Sequence, residues 1–250
     1  MLIDSATITG LATAGAASAA GLMTYAVRAR SAGILAPNIY RGDPDKRQIA
    51  LTFDDGPTLS TPALLEVLAE HNVKATFFMC GRNVRRFPEI ARDVVNAGHE
   101  LGNHTESHSY LHFRSSEHIY RELAMAQQSI RTVTGCRPRW FRPPFGVRWF
   151  GLRRAQRRLG LTGVMWTLIG RDWKWSGTRV ARLMLSHARN GAIFCLHDGR
   201  GTAPSPDIRS TIEAVEAIVP RLKAEGYEFV TLSDMLSRDK RAAWRASGTA

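Results

Sequence analysis

The 250 residues carry a formal charge of +12, with 44% hydrophobic and 22% charged residues and only three cysteines. That balance excludes a disordered chain, a collagen-like repeat and a small disulfide scaffold, and the cysteines follow no Cys-based metal or redox spacing. A chain of this length buries a full core without staples and suits one α/β barrel domain.

In chain order, residues 5–27 carry no charge and are followed by Arg28 and Arg30. The run is long enough to cross a bilayer, but Ala, Gly, Thr and Ser dominate it, so its drive to insert is weak. No basic region precedes it, as a signal peptide requires. Three roles stay open: a membrane anchor, an export signal, or a helix packed on the domain. Residues 1–47 are expected to be this segment and its lead-in, 48–236 one domain, and 237–250 a basic tail.

Gln48 to Phe53 is a short apolar run stopped by Asp54-Asp55-Gly56-Pro57, the pattern of a buried strand and turn. A helix from about Thr61 follows, with Pro62 in its first turn. Lys74 to Met79 reads as a strand closed by Gly81, and Pro88 to Ala97 as a helix ended by Gly98. His99 to Gly102 is a strand, Glu117 to Val133 a helix, Arg139 to Phe141 a strand, and Val147 to Leu159 a helix. Thr162 to Leu168, Ala192 to Leu196 and Glu228 to Thr231 are strands. Helices Thr178 to Ala188 and Ile208 to Glu225 alternate with them, and a last helix starts at Ser233.

Such alternation implies parallel strands joined by crossovers. About seven units fit a distorted (β/α) barrel. An open doubly wound sheet is the alternative, but no glycine-rich nucleotide fingerprint follows any strand.

The reactive residues fall just after predicted strands: Asp54 and Asp55, His104 and His108, Arg142, Asp172, His197 and Asp198. In a parallel barrel those strand ends share one face, where active sites sit. His104 and His108, four apart, can reach one ion. A carboxylate completing the set would hold a divalent metal and leave open positions for water and substrate. Two adjacent aspartates are costly unless one is a ligand and the other a base. The plainer alternative is a turn, which Asp-Gly-Pro favours.

Five segments in order, Thr52-Phe53-Asp54-Asp55-Gly56-Pro57, His104-Thr105-Glu106-Ser107-His108, Arg142-Pro143-Pro144-Phe145-Gly146, Asp172-Trp173 and Leu196-His197-Asp198-Gly199, closely resemble the five motifs of the polysaccharide deacetylases, also called carbohydrate esterase family 4. The resemblance runs from about Gln48 to Leu236. It implies a distorted barrel and a divalent metal, usually zinc, with cobalt or manganese as substitutes. It implies Asp54 as general base, Asp55, His104 and His108 as metal ligands, and Arg142 as the residue orienting the base. Asp172 then tunes His197, the general acid. Phe145 supplies a backbone oxyanion donor, and Pro144, Phe145, Trp173, Cys195 and Leu196 meet substrate. Three positions depart from the common pattern: Cys195 where Leu is usual, Phe145 where Tyr is usual, and Ile169 where some members have Asp.

The resemblance implies removal of N-acetyl groups from N-acetylglucosamine-type units of peptidoglycan, chitin-like oligomers or a related glycan. Its partner is the carbohydrate, with membrane association through residues 5–27 a further option. Alternatives are deacylation or deformylation of a lipid-linked sugar, and a non-catalytic glycan-binding barrel. An envelope location, membrane-associated or exported, is expected, with the cytoplasm as alternative. The basic runs Arg153–Arg158 and Arg238–Arg241 lack interleaved aromatics, so they read as solvated faces and no nucleic acid is expected. His71 and His187 read as helix-end residues, His99 as a strand residue, His112 and His118 as surface, and Glu106 as exposed. Trp140, Trp149, Trp166 and Trp175 read mostly as core.

Overall fold

The alternation in Gln48–Asp54 sets the architecture. In this computed structural model, which describes residues 18–236, these seven residues form a strand that is buried from Ile49 onward. Ile49, Leu51 and Phe53 point outward into a layer of helices, whereas Ala50, Thr52 and Asp54 point into the barrel. The inward set ends in a carboxylate at the carboxyl end of the strand.

The described elements are α1 (residues 18–28), β1 (Asn38–Ile39), β2 (Gln48–Asp54), α2 (Thr61–Glu70), β3 (Thr76–Met79), α3 (Gly81–Arg86), α4 (Pro88–Asn96), β4 (Glu100–Asn103) and α5 (Ser116–Thr134). They continue with β5 (Trp140–Phe141), α6 (Leu152–Leu159), β6 (Thr162–Val164), β7 (Leu168–Ile169), α7 (Gly177–Ser186), β8 (Ala192–His197), α8 (Arg209–Ala224), β9 (Glu228–Phe229) and α9 (Leu232–Leu236). The strand order is β1-β6-β5-β4-β3-β2-β8-β7, with β9 also on β2, and every pairing is parallel. No ladder joins β7 to β1. The seam is held instead by the Thr167 hydroxyl donating to the Tyr40 carbonyl at 2.9 Å. This is the expected distorted (β/α) barrel.

The helices follow from their ends. Ser115 caps α5 by accepting from the His118 N–H, and Gly135, at φ 75°, closes it in the left-handed region. Leu64, Val67 and Leu68 of α2 and Ala214, Val215, Ile218 and Leu222 of α8 bury one face each against the outer face of the sheet. At the amino ends of the strands, Leu232, Met235 and Leu236 of α9 pack with Ala50, Phe78 and Ile193 and plug the barrel.

The structure corrects several boundaries. Among the described residues there are nine strands rather than about seven: β1 has two residues and no periodicity to read, and one expected strand is two. The expected strand from Thr162 to Leu168 divides into β6 and β7. Gly81 opens helix α3 rather than merely closing a strand. A Cβ there would lie 2.7 Å from the Ala126 Cα of α5, so the glycine is required by close approach. The helix expected from Val147 starts only at Leu152, because residues 142–151 form a loop with a 3-10 turn at Pro144–Gly146. His99 precedes β4 rather than lying in it.

Residues 18–25 of α1 are exposed, and only its carboxyl end packs on the domain. Ala26 and Val27 of α1 pack with Leu35 and Val147. The buried Arg148 guanidinium donates to the carbonyls of Ala32, Ala29 and Val27. Among the described residues no helix is long and apolar enough to cross a membrane. Residues 1–17, the tail 237–250 and the run Arg238–Arg241 lie outside the described residues.

Candidate active site

Five strand ends deliver the reactive residues to one cavity of about 530 Å³. Asp54 ends β2 and His197 ends β8, and the two are paired in register. His104 follows β4, Arg142 follows β5, and Asp172 lies three residues beyond β7. The connecting loops are conformationally costly. Of the seven non-glycine residues with positive φ among the described residues, Asp55, Thr105, His108, Phe113, Phe145 and Arg171 all lie on these loops. Such backbone persists only where surrounding contacts enforce it. At Asp55 the enforcing contact is Asn83 Nδ2, which donates to the Asp55 carbonyl (2.7 Å) and the Gly201 carbonyl (3.0 Å). The first and last motifs also touch directly: a Cβ on Gly199 would lie 2.5 Å from the Asp55 carbonyl carbon.

Asp55, His104 and His108 converge. Their closest approach is Asp55 Oδ1 to His104 Nε2 at 3.1 Å and to His108 Nε2 at 3.0 Å. His104 Nδ1 lies 2.8 Å from the Arg142 carbonyl, which can only accept. The Nδ1 proton is therefore committed, and a neutral His104 presents a bare Nε2 lone pair to Asp55. Asp55 Oδ1 is itself buried and receives no hydrogen bond. Converging lone pairs with no proton between them need a cation, and one carboxylate with two imidazoles suits a divalent metal. Burial pushes the Asp55 carboxyl up, but contact with His104 and His108 more than reverses this and holds it well below the usual carboxylate range. Asp55 Oδ2 is fixed separately by the Gly201 N–H at 2.7 Å.

Asp54 stands beside this group. Arg142 Nη1 donates to its Oδ1 at 2.7 Å. The same guanidinium also donates to Thr52 Oγ1, the Val164 carbonyl and the Met165 carbonyl, so all three of its nitrogens are used. The Cys195 thiol approaches Asp54 Oδ2 at 3.5 Å. Burial, reinforced by the Asp54 charge, raises this thiol well above its ordinary value, so it stays neutral and acts as a weak donor.

Across the cavity, His197 Nδ1 lies 2.9 Å from Asp172 Oδ1. Asp172 Oδ2 accepts from the His197 N–H (2.9 Å) and from Thr211 Oγ1 (2.6 Å). Burial pulls the imidazole down, but the Asp172 carboxylate and the more distant Asp55 and Asp54 carry it up to about 9. Burial raises Asp172 while the His197 charge lowers it further, so it ends below its ordinary value.

Most expected site residues meet in the cavity. Asp54, Asp55, His104, His108, Phe145, Trp173 and His197 line it, with the Trp173 ring edge-on to His197 at 4.9 Å. Arg142 and Asp172 stand behind the lining residues they hold, and Pro144, Cys195 and Leu196 do not line the cavity either. Pro144 is buried while Pro143 takes the wall, and Cys195 lies behind Asp54. Leu196 points the opposite way from Cys195 and His197, into the helix layer, as strand alternation requires. Glu106 is buried rather than exposed, paired with Arg85 of α3. Trp166 lines the cavity rather than the core, together with Ile169 and Arg200. Thr211 and Asn83 support the site without any motif signal. Asp198 is wholly buried, accepts from Thr61 Oγ1 at 2.7 Å, and is raised by burial to about 7.

Comparison with known proteins identifies the family. Residues 41–164 match the family model described as polysaccharide deacetylase. A peptidoglycan-N-acetylglucosamine deacetylase of Bacillus cereus is 32% identical, with 80% of this chain aligned to 72% of that protein. A chitooligosaccharide deacetylase of Azorhizobium caulinodans is 36% identical over 73% of this chain and 91% of its own. The crystal structure of the Bc1960 peptidoglycan N-acetylglucosamine deacetylase superposes with a TM-score of 0.76 at 32% identity, covering 81% of this chain and 94% of that one. With fold, strand-end placement and relatives in agreement, this chain belongs to the polysaccharide deacetylase family.

Proposed function

We propose that this protein hydrolyses the N-acetyl group of N-acetylglucosamine-type units in peptidoglycan, a chitin-like oligomer or a related glycan, with a divalent cation held by Asp55, His104 and His108. Zinc is the first choice for a carboxylate and two imidazoles. When bound, such a cation polarises the acetyl carbonyl and makes water a better nucleophile near neutral pH.

The chain's own residues do the rest. Asp54, held and aimed by Arg142, takes a proton from the attacking water as its oxygen bonds to the acetyl carbon. The Phe145 N–H supports the developing oxyanion, a contribution of about 3 kcal/mol for a well-placed donor. The C–N bond then breaks, and His197, kept charged by Asp172, gives its proton to the departing nitrogen. The products are acetate and the free amine of the sugar. Trp173 stands beside His197 as a wall for the sugar ring.

One observation carries this reading. A convergent Asp/His/His group shares its cavity with an arginine-held carboxylate and a carboxylate-held imidazole, and amide hydrolysis needs those three devices together. The test is mass spectrometry of N-acetylglucosamine oligomers and peptidoglycan fragments after incubation with zinc-, cobalt- or manganese-loaded protein, with and without chelator. Chelator-sensitive loss of acetyl masses is expected. Unchanged masses across every substrate and metal would refute the assignment.

A further inference from the structure

The cavity continues outward as a row of aromatic rings. From the His108 imidazole the contacts run to Phe145 (4.7 Å between ring centres), to Tyr110 (5.5 Å) and to His112 (5.9 Å). His112 then meets Trp149 at 4.3 Å, and Trp149 meets Phe113 at 4.8 Å and Phe150 at 5.1 Å. The rings come from two loops only, those following β4 and β5, which also carry His104, His108 and Arg142.

Trp149 and His112 are half-buried, but the other rings beyond His108 are exposed. Phe113 is 78% exposed, Phe145 60%, Phe150 53% and Tyr110 39%. Contiguous exposed rings are unfavourable in water and mark a binding surface when they adjoin a cavity. Two of them, Phe113 and Phe145, sit at φ 60°. Bulky residues rarely adopt that conformation, so the backbone is strained to present those rings. The platform beneath is fixed: Leu111, Val147 and Arg148 are buried, and Arg28 donates to the Tyr110 hydroxyl at 3.1 Å.

We propose that this row is an extended subsite for a glycan chain, so that the protein acts on long oligomers or polymers in preference to short sugars. The proposal rests on the deacetylase reading and names the substrate length that site takes. A pyranose presents a flat face of C–H bonds that lies well on an aromatic ring, while its hydroxyls at the edge stay in water. The row begins at the cavity wall, so the sugars next to the reacting unit are the natural occupants. It mixes rings with polar edges at His112 and the Tyr110 hydroxyl, which suits a carbohydrate better than an aliphatic surface.

The test uses the metal-loaded protein and N-acetylglucosamine oligomers from disaccharide to hexasaccharide, with Phe113→Ala, Phe150→Ala and the double variant. In the wild type, KM should fall as the oligomer lengthens. In the double variant, KM for the hexasaccharide should rise about fivefold or more, with kcat and the disaccharide KM unchanged. Phe113→Tyr should restore it. Turnover independent of length, or length dependence untouched by the double variant, overturns the proposal. So does a shift from dimer to monomer in sedimentation with length dependence intact, which would assign the rings to a second copy. Calorimetric binding of the same oligomers separates the two readings: tighter binding of longer oligomers, lost in the double variant, with no turnover of any oligomer would sink the deacetylase assignment and leave the aromatic subsite standing.

Discussion

On the flank built from β2 and β5, a carboxylate faces the cavity and a cation stands behind it: Asp54 with Arg142. On the flank built from β7 and β8 the polarity is reversed, with the His197 imidazole in front and the Asp172 carboxylate behind. The two contacts are of similar length, 2.7 and 2.9 Å, yet they behave differently. Arg142 is pinned by two backbone carbonyls and a hydroxyl. Its influence on Asp54 is a matter of position. The charge on His197 is conditional and exists up to about pH 9 because Asp172 opposes the effect of burial. The rear partner thus decides how the front one handles a proton, and pH sensitivity belongs to the second flank.

The sharpest way to break this contrast is to neutralise a front residue. Asp54→Asn should lower kcat by roughly 10²–10⁴, the range for a positioned acid–base group, while metal content stays at the wild-type level. Asp55→Ala should lose both, and elemental analysis beside turnover separates the two roles. If Asp54→Asn keeps full turnover, the base lies elsewhere.

Next in size is Arg142→Lys. It keeps a positive charge but strips donors from the Val164 and Met165 carbonyls, both buried contacts. Urea unfolding should show a loss of about 2 kcal/mol or more. Turnover should fall with the shape of the pH profile preserved, because a positional partner has been changed. A profile that moves instead would contradict the division between flanks.

Asp172→Asn is the complementary change. Removing the carboxylate leaves burial in control of His197, so the imidazole must fall from about 9 toward or below its ordinary 6.5. A general acid works below its own pKa. The alkaline limb of kcat should therefore move to lower pH, with activity at pH 8 lost first. An unmoved limb would remove His197 from the acid role. The smallest effect is expected from Thr211→Val. It deletes the 2.6 Å hydrogen bond to Asp172 Oδ2, should cost about 1 kcal/mol of stability, and should shift the limb slightly in the same direction.

Much of this arrangement is legible in the sequence. β2 announces itself because an apolar run ends in two aspartates, and parallel topology then brings five distant clusters to one face. What escaped had no pattern. β1 is two residues long and shaped by its neighbours, and the break between β6 and β7 falls inside what reads as one strand. α3 has six residues, and without it nothing placed Arg85 over Glu106, so that carboxylate read as exposed. Thr211 and Asn83 act through side-chain hydrogen bonds that no spacing encodes. Leu196 is a different case. Its alternation with Cys195 and His197 was available in the strand and already pointed it away from substrate, but the motif it belongs to outweighed that reading.

Arg148 has a practical consequence. Its guanidinium lies inside the protein and is held by carbonyls at residues 27, 29 and 32, ahead of the stretch that the family model matches from residue 41. Trimming the gene to that matched stretch would strip this guanidinium of its acceptors. Whoever shortens this protein for expression should therefore keep the preceding turn of helix, because what looks like a dispensable leader is a cornerstone laid early in the sequence.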